Sequence, residues 1–206
     1  MTEFNSSRIS IRPAQPGDAT LAAQVFYISM GGLADYLFGG NKQSIQSAFI
    51  GLFKRNAGRF GHKISVIAEV DGQPLGMLVS YSGAQINRLN LETFRHFFPV
   101  MGFKRAFNFI MRGIALPGGV EAERNEYYIS NLGILPAAQG QGIGSYLLDY
   151  AEKMAQASLF VKCSLIVGLH NVNAFRLYQR AGYQVVETVH DKNESLGYHR
   201  MVKQLS

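Results

Sequence analysis

The stretch Ile134-Leu-Pro136-Ala-Ala-Gln139-Gly140-Gln141-Gly142-Ile143-Gly144 constrains this chain most, because it must turn a strand into a helix within a few glycine-rich residues. Upstream, Tyr127 to Leu135 is rich in aromatic and β-branched side chains and is stopped by Pro136, which marks a strand. Downstream, Ile143, Leu147, Ala151, Met154 and Ala155 fall on one face at helical spacing, so a helix begins close to Gly142. The first amides of that helix have no partners within it and lie at the positive end of its dipole. Glycines at 140, 142 and 144 clear the approach of an anionic group to those amides. Two familiar phosphate cradles do not fit. A P-loop ends in Gly-Lys-Ser/Thr, and here the turn ends Gly144-Ser145 without a lysine. A dinucleotide turn needs a third glycine where Ser145 stands and an acid about 20 residues further on, which Cys163 to Leu169 do not supply.

A second block narrows the reading. After the apolar run Ser164 to Leu169, the residues Ala174, Leu177, Tyr178 and Ala181 follow the pattern of a short amphipathic helix. Asn171 or Asn173 suits its N-cap, and Gly182 ends it. Together the two blocks resemble the GNAT superfamily of N-acetyltransferases. Its cofactor loop, Gln/Arg-x-x-Gly-x-Gly/Ala, is matched by Gln139, Gly142 and Gly144. Its second signature, Asn-x-x-Ala-x-x-Leu-Tyr-x-x-x-Gly-aromatic, is matched by Asn171, Ala174, Leu177, Tyr178, Gly182 and Tyr183. The likeness extends over most of the chain. Ile9 to Asp18 resembles the family's opening strand and helix start, with Asp18 placed to cap free amides. Ile64–Val70 and Leu75–Tyr81 flank Asp71-Gly72, a dipeptide suited to a type I′ hairpin.

The resemblance implies a mixed α/β GNAT fold: a twisted, mostly antiparallel central sheet with helices on both faces, splayed after Pro136 at the cofactor site. It implies direct transfer of the acetyl group of acetyl-CoA to a primary amine on a small molecule, peptide or protein. The alternative is a non-catalytic acyl-CoA-binding or regulatory domain. By the same resemblance, the turn Gln139, Gly140, Gln141, Gly142, Ile143, Gly144 and Ser145 would hold the cofactor phosphates. Backbone groups of Leu132, Gly133 and Ile134 would pair with the pantetheine arm, one amide stabilising the oxyanion. Asn171 would bond the arm or a bridging water, and Tyr178 would donate to the departing sulfur. A glutamate on the Tyr127 strand serves several family members as base. Here Tyr128 occupies the usual place and Glu126 stands two residues earlier, as a base or as a solvated carboxylate at the strand's start. Alternation places Glu126 on one face with Tyr128 and Ser130.

A length of 206 residues fits one domain, 1–206, slightly longer than the minimal fold. A hydrophobic fraction of 47% against 17% charged residues argues for a packed core rather than disorder. Met1 to Arg8 lacks the apolar core of a signal peptide, and no apolar run is long enough for a membrane span. A single cysteine, Cys163, fits a reducing, cytoplasmic setting and a buried inert thiol. The five histidines show no paired metal-ligand spacing, so no metal is expected. The net charge of +6 suits an anionic partner, and acetyl-CoA suffices without nucleic acid. Exposed sheet edges in such a fold leave a homodimer open.

The departure from a minimal domain is a helical insertion at about 83–123. In it Phe94, Phe97, Phe98, Val100, Met101, Phe103, Phe107, Phe109, Ile110 and Met111 alternate with Arg88, Arg95, His96, Lys104, Arg105 and Arg112. Pro99 and Gly102 divide it into two short helices. Its aromatics are expected to face the core and its bases water, either as a plain cap or as a wall of the acceptor pocket. Because it interrupts a compact fold, a membrane-surface or nucleic-acid role is the reading it favours least.

Overall fold

The computed structural model describes residues 9–116 and 118–205; Met1 to Arg8 lie outside them. Among the described residues seven strands form one sheet in the order β1-β2-β3-β4-β5-β7-β6. They are β1 (Ile9–Pro13), β2 (Ser65–Val70), β3 (Gln73–Ser82), β4 (Tyr127–Ile134), β5 (Lys162–Gly168), β6 (Gln184–Val189) and β7 (Tyr198–Gln204). Every neighbouring pair is antiparallel except β4 with β5, which is parallel. The β2–β3 hairpin turns at Asp71 and Gly72, whose φ values of 51° and 77° are both positive, as a type I′ turn requires.

Strand alternation sorts the apolar side chains into two cores. Ile67, Met77, Val79, Tyr81 and Tyr128 face a layer built from α1 (Ala19–Met30), α2 (Gly32–Phe38) and α3 (Lys42–Lys54). Phe26, Phe38, Phe49, Phe53 and Phe60 interlock at its centre. Ala68, Leu78, Ile129, Cys163, Leu165 and Met201 face the other way, onto α6 (Ile143–Ala157) and α7 (Val172–Arg180). The Cys163 thiol is buried there and pushed up to about 12 by desolvation, so it stays protonated and inert.

The sheet opens earlier than the sequence suggests. β4 and β5 pair only over Tyr127↔Cys163, Tyr128↔Ser164 and Ile129↔Leu165, although β4 continues to Ile134 and β5 to Gly168. The split therefore begins after Ile129, inside the strands, and not after Pro136. A register shift against β3 falls between Ile129 and Asn131. Such a bulge bends its strand and re-aims the side chains beyond it.

The insertion holds α4 (Ile86–Met101) and α5 (Phe103–Ile114). Gly102, at φ 76°, makes the break; Pro99 does not, since α4 runs on past it to Met101. Asp18 does not cap α1. Its carboxylate takes both Arg12 guanidinium nitrogens at 2.8 Å and the Gln15 amide at 2.7 Å, fixing the short turn before the helix.

Candidate functional site

Among the described residues α3 and α7 take a side-chain cap at their start, while α1, α2, α4, α5 and α6 do not. Asn41 caps α3, accepting from the Ser44 amide at 2.9 Å, and Asn171 caps α7, accepting from the Ala174 amide at 3.2 Å. At α6 the N-cap is Gly142, in the left-handed region at φ 76°, and no side chain among the described residues caps the helix. A helix start left open in this way presents its amides to whatever anion arrives. Gly140 is also left-handed at φ 79°, and a Cβ there would meet nothing within 4 Å, so the surface over the turn is clear. Gly144 is held more tightly, its Cβ position lying 3.2 Å from Leu177 on α7. The Ile143 side chain is buried in the core, leaving only its backbone to face the turn. Gln141 and Ser145 are exposed. The Gln139 side chain donates to the Ile134 carbonyl at 3.3 Å and so ties the turn to the end of β4.

Between this turn and the split lies a run of backbone with one edge used. On one side Leu132, Gly133 and Ile134 pair with Leu78, Met77 and Gly76 of β3. On the other side β5 has already diverged. Gly133 admits close packing against α1, since a Cβ there would lie 2.8 Å from Val25. The cleft in the split is lined by Ser29, Ile129, Ser130, Asn131, Leu132, Ile166, Val167, Gly168, Asn171 and Tyr178. The structure thus brings together Leu132, Asn171 and Tyr178 of the expected residues. No residue of α4 or α5 lines it.

Tyr178 is 6% exposed and packs on Tyr183, yet its hydroxyl makes no hydrogen bond among the described residues. Desolvation pushes the phenol up to about 12. It is therefore a donor at any ordinary pH. Asn171, not Asn173, caps α7, so its carbonyl oxygen is committed and its amide nitrogen remains to donate into the cleft.

Glu126 is not the solvated carboxylate of the second expectation. It stands at the paired end of β4, before Tyr127↔Cys163, and is 2% exposed, hence not solvated. Both carboxylate oxygens lie 2.6 Å from Arg200 Nη2, and one also accepts the Glu123 amide at 2.9 Å. Burial alone would raise its pKa, but the Glu123 amide and Arg200 hold it below the ordinary carboxylate value. A carboxylate so stabilised in its charged form is a weak proton acceptor. The bulge changes the alternation beyond Ser130, which itself stays on the Tyr81 and Tyr128 side. Beyond it Asn131 points to α1, donating to Ser29 Oγ at 2.9 Å and accepting from Ser130 Oγ at 3.1 Å.

Ser29, Ser130 and Asn131 are the site residues that sequence reasoning missed. Ser29 and Asn131 lie 102 residues apart, so no local spacing signals them. A second polar group borders them. The tail of the insertion brings Glu121 to Arg59, whose Nη1 donates to Oε1 at 2.8 Å while Nη2 meets the other oxygen. The buried Tyr81 hydroxyl lies beside that pair and Ser130. Burial opposes ionisation of Glu121, but the Arg59 charge outweighs it and keeps the carboxyl below its usual range. Glu121 also lines an open depression with Gly83, Ala84, Asn87 and Gly119.

Among solved structures, a crystal structure of an acetyltransferase superposes with a TM-score of 0.71 at 21% identity, covering 96% of this chain and 100% of that one. An N-acetyltransferase from Staphylococcus aureus Mu50 gives 0.70 at 23%, covering 94% and 99%. Arabidopsis thaliana Naa50, in complex with the bisubstrate analogue CoA-Ac-MVNAL, gives 0.52 at 15%, covering 96% and 99%. At such identities the likeness is one of fold. No curated protein sequence matches this one significantly. The sequence pattern of the Acetyltransferase (GNAT) family, however, matches residues 37–183, which include the split, the open turn and the Tyr178 helix. By that match and that fold the chain belongs to the GNAT family of acetyltransferases and is an acyltransferase acting with acetyl-CoA.

Proposed function

We propose that the protein, as one catalytic domain, moves the acetyl group of acetyl-CoA directly onto a primary amine. The observation that carries this reading is the alignment of three open features: the uncapped start of α6, the free edge of Leu132–Ile134, and the unpartnered Tyr178 hydroxyl in the split. The diphosphate would lie on the amides from Gly140 to Ser145, and the pantetheine arm would run along β4 as an added strand. Its thioester would then reach the cleft where Asn171 and Tyr178 meet Ser130 and Asn131.

In this reaction the amine nitrogen forms a bond to the thioester carbonyl carbon, the oxyanion takes a backbone amide of Leu132–Ile134, and the C–S bond breaks. A free alkyl amine is protonated at neutral pH, with a pKa near ~10.4, so a proton must leave before attack. Glu126, locked to Arg200, is not our choice of base. We assign the proton instead to water in the open split, which carries it to bulk solvent past Ser130 and Asn131. The leaving thiolate accepts a hydrogen bond from Tyr178. A phenol at about 12 does not give its proton outright to a sulfur whose thiol pKa is near ~8.5, so Tyr178 stabilises charge and solvent supplies the proton.

The test is CoA release from acetyl-CoA over a panel of polyamines, amino acids, aminoglycosides and peptides with free N-termini. Amine-dependent release with an equal yield of N-acetyl product is expected for at least one class. Acetyl-CoA binding with no turnover over the whole panel would sink the proposal.

A further inference from the structure

The insertion does not bury its aromatics as its sequence suggests. α4 turns Leu89, Thr93, Phe97 and Met101 inward but leaves Leu91, Phe94 and Phe98 exposed. α5 buries Ala106 and Phe109 while Phe103, Phe107, Met111 and Ile114 face out, Phe103 and Ile114 being 74% and 73% exposed. The two stripes meet across Gly102. Phe98 and Phe103 lie 5.6 Å apart between ring centroids, and Phe103 stacks on Phe107 at 6.4 Å and 9°. Scattered surface apolar residues need no explanation, but a joined ridge of seven large side chains marks an interaction surface.

Charge says what kind of surface. Residues 86–114 hold five bases, Arg88, Arg95, Lys104, Arg105 and Arg112, against one acid, Glu92, so this pair of helices carries net +4 of the chain's +6. Glu92 is taken by Arg88 at 3.7 Å. Arg105 and Arg112 reach back to carbonyls of Ser44 and Tyr36, at 3.4 Å and 3.0 Å. Arg88, Arg95 and Lys104 stay exposed beside the ridge. A second copy placed face to face would set like charges together with almost no acid to meet them. A nucleic acid would stack bases on free ring faces, but Phe103 and Phe107 stack on each other, and Leu91, Met111 and Ile114 extend the ridge with no ring at all. An anionic bilayer satisfies both halves of the surface: the acyl boundary takes the apolar ridge and the headgroups take the bases.

We propose that α4 and α5 dock this enzyme on an anionic phospholipid surface, with the Phe94–Phe98–Phe103–Phe107 ridge at the acyl boundary. This assignment is independent of the amine that is acetylated. The experiment is flotation of the full chain with vesicles of phosphatidylcholine containing roughly one-third phosphatidylglycerol, against vesicles of phosphatidylcholine alone. Partition into the anionic vesicles is expected to be about 10-fold stronger and to weaken with salt. Phe103→Ser with Phe107→Ser should cut it about 10-fold or more, and so should Arg95→Glu with Lys104→Glu, a pair that leaves every aromatic in place. Circular dichroism and acetyl-CoA affinity should stay those of the wild type in both. Absence of wild-type binding, or equal binding to neutral vesicles, would overturn the proposal. So would a Phe103/Phe107-dependent dimer in sedimentation, or salt-sensitive RNA binding, without vesicle binding.

Discussion

The two ends of strand β4 carry opposite solutions to one problem. At its start, Glu126 is removed from water and its carboxylate is answered, both oxygens by Arg200 and one by the Glu123 amide, although Arg200 Nε stays buried without a partner; β3 and β5 pair on either side of Tyr127. At its far end, Leu132 to Ile134 keep one edge unpaired, and the helix that follows the turn begins on a bare glycine. Unmade hydrogen bonds are costly in a buried place, so a fold tolerates them where a ligand or water can complete them. The satisfied end supports the sheet and the unsatisfied end binds. The difference assigns roles that residue type alone does not, since a glutamate at the satisfied end is a strut and a glycine at the open end is a ligand site.

The largest expected effect belongs to the closed end. Glu126→Gln leaves the buried Arg200 without a counter-charge, and breaking such a pair costs about 3–5 kcal/mol. Denaturant unfolding should show that loss at neutral pH. The pH dependence has a definite sign. Because Glu126 titrates lower in the folded chain than unfolded, its contribution is present above the ordinary carboxylate pKa and is lost as pH falls through the depressed folded value. Wild type should therefore weaken on acidification more steeply than the variant. Where the variant is still folded, its pH–rate profile should match wild type; loss of the acidic limb would restore Glu126 as the base and break the contrast between the two ends.

The parts of this architecture legible in the sequence are those where backbone conformation dictates the residue. Gly142 and Gly182 sit at positive φ, Asp71-Gly72 makes the hairpin, and Asn171 caps its helix, so residue type betrays each one. What stayed hidden depends on residues distant in the chain. Arg200 is 74 positions from Glu126 and Ser29 is 102 from Asn131. The bulge at Ser130 shifts strand parity without any signature residue, so the sequence does not show that Asn131 turns toward α1. In α4 and α5 an aromatic residue suits core and interface equally, and only packing separates buried Phe97 and Phe109 from exposed Phe103 and Phe107. The helices α2 and α3 carried no motif to announce them.

At the open end the next effect in size is expected from Gly142→Glu. The carboxylate would stand where the diphosphate is proposed to lie, and a like charge in a binding site costs several kcal/mol, so acetyl-CoA affinity should fall about 10³-fold. The left-handed φ of 76° adds backbone strain of about 1 kcal/mol, which leaves the domain folded. Calorimetry that finds wild-type affinity in the folded variant would move the cofactor off this turn.

The smallest effect separates the chemistry from the fold around it. Tyr178→Phe keeps the ring that packs on Tyr183 and removes only a hydroxyl that makes no hydrogen bond among the described residues. Stability should hold, because no hydrogen bond to a described residue is lost. If that hydroxyl meets the leaving thiolate, the loss is one hydrogen bond to a charged group, about 1.5–3 kcal/mol, or roughly 10- to 150-fold in kcat with acetyl-CoA affinity unchanged. A full proton transfer would cost more, and simple packing nothing. With the phenol at about 12, wild-type kcat should also show no limb from Tyr178 below about pH 11. A wild-type kcat in the variant, with chemistry shown to be rate-limiting, would return Tyr178 to the core and leave the backbone of the open end to carry the reaction.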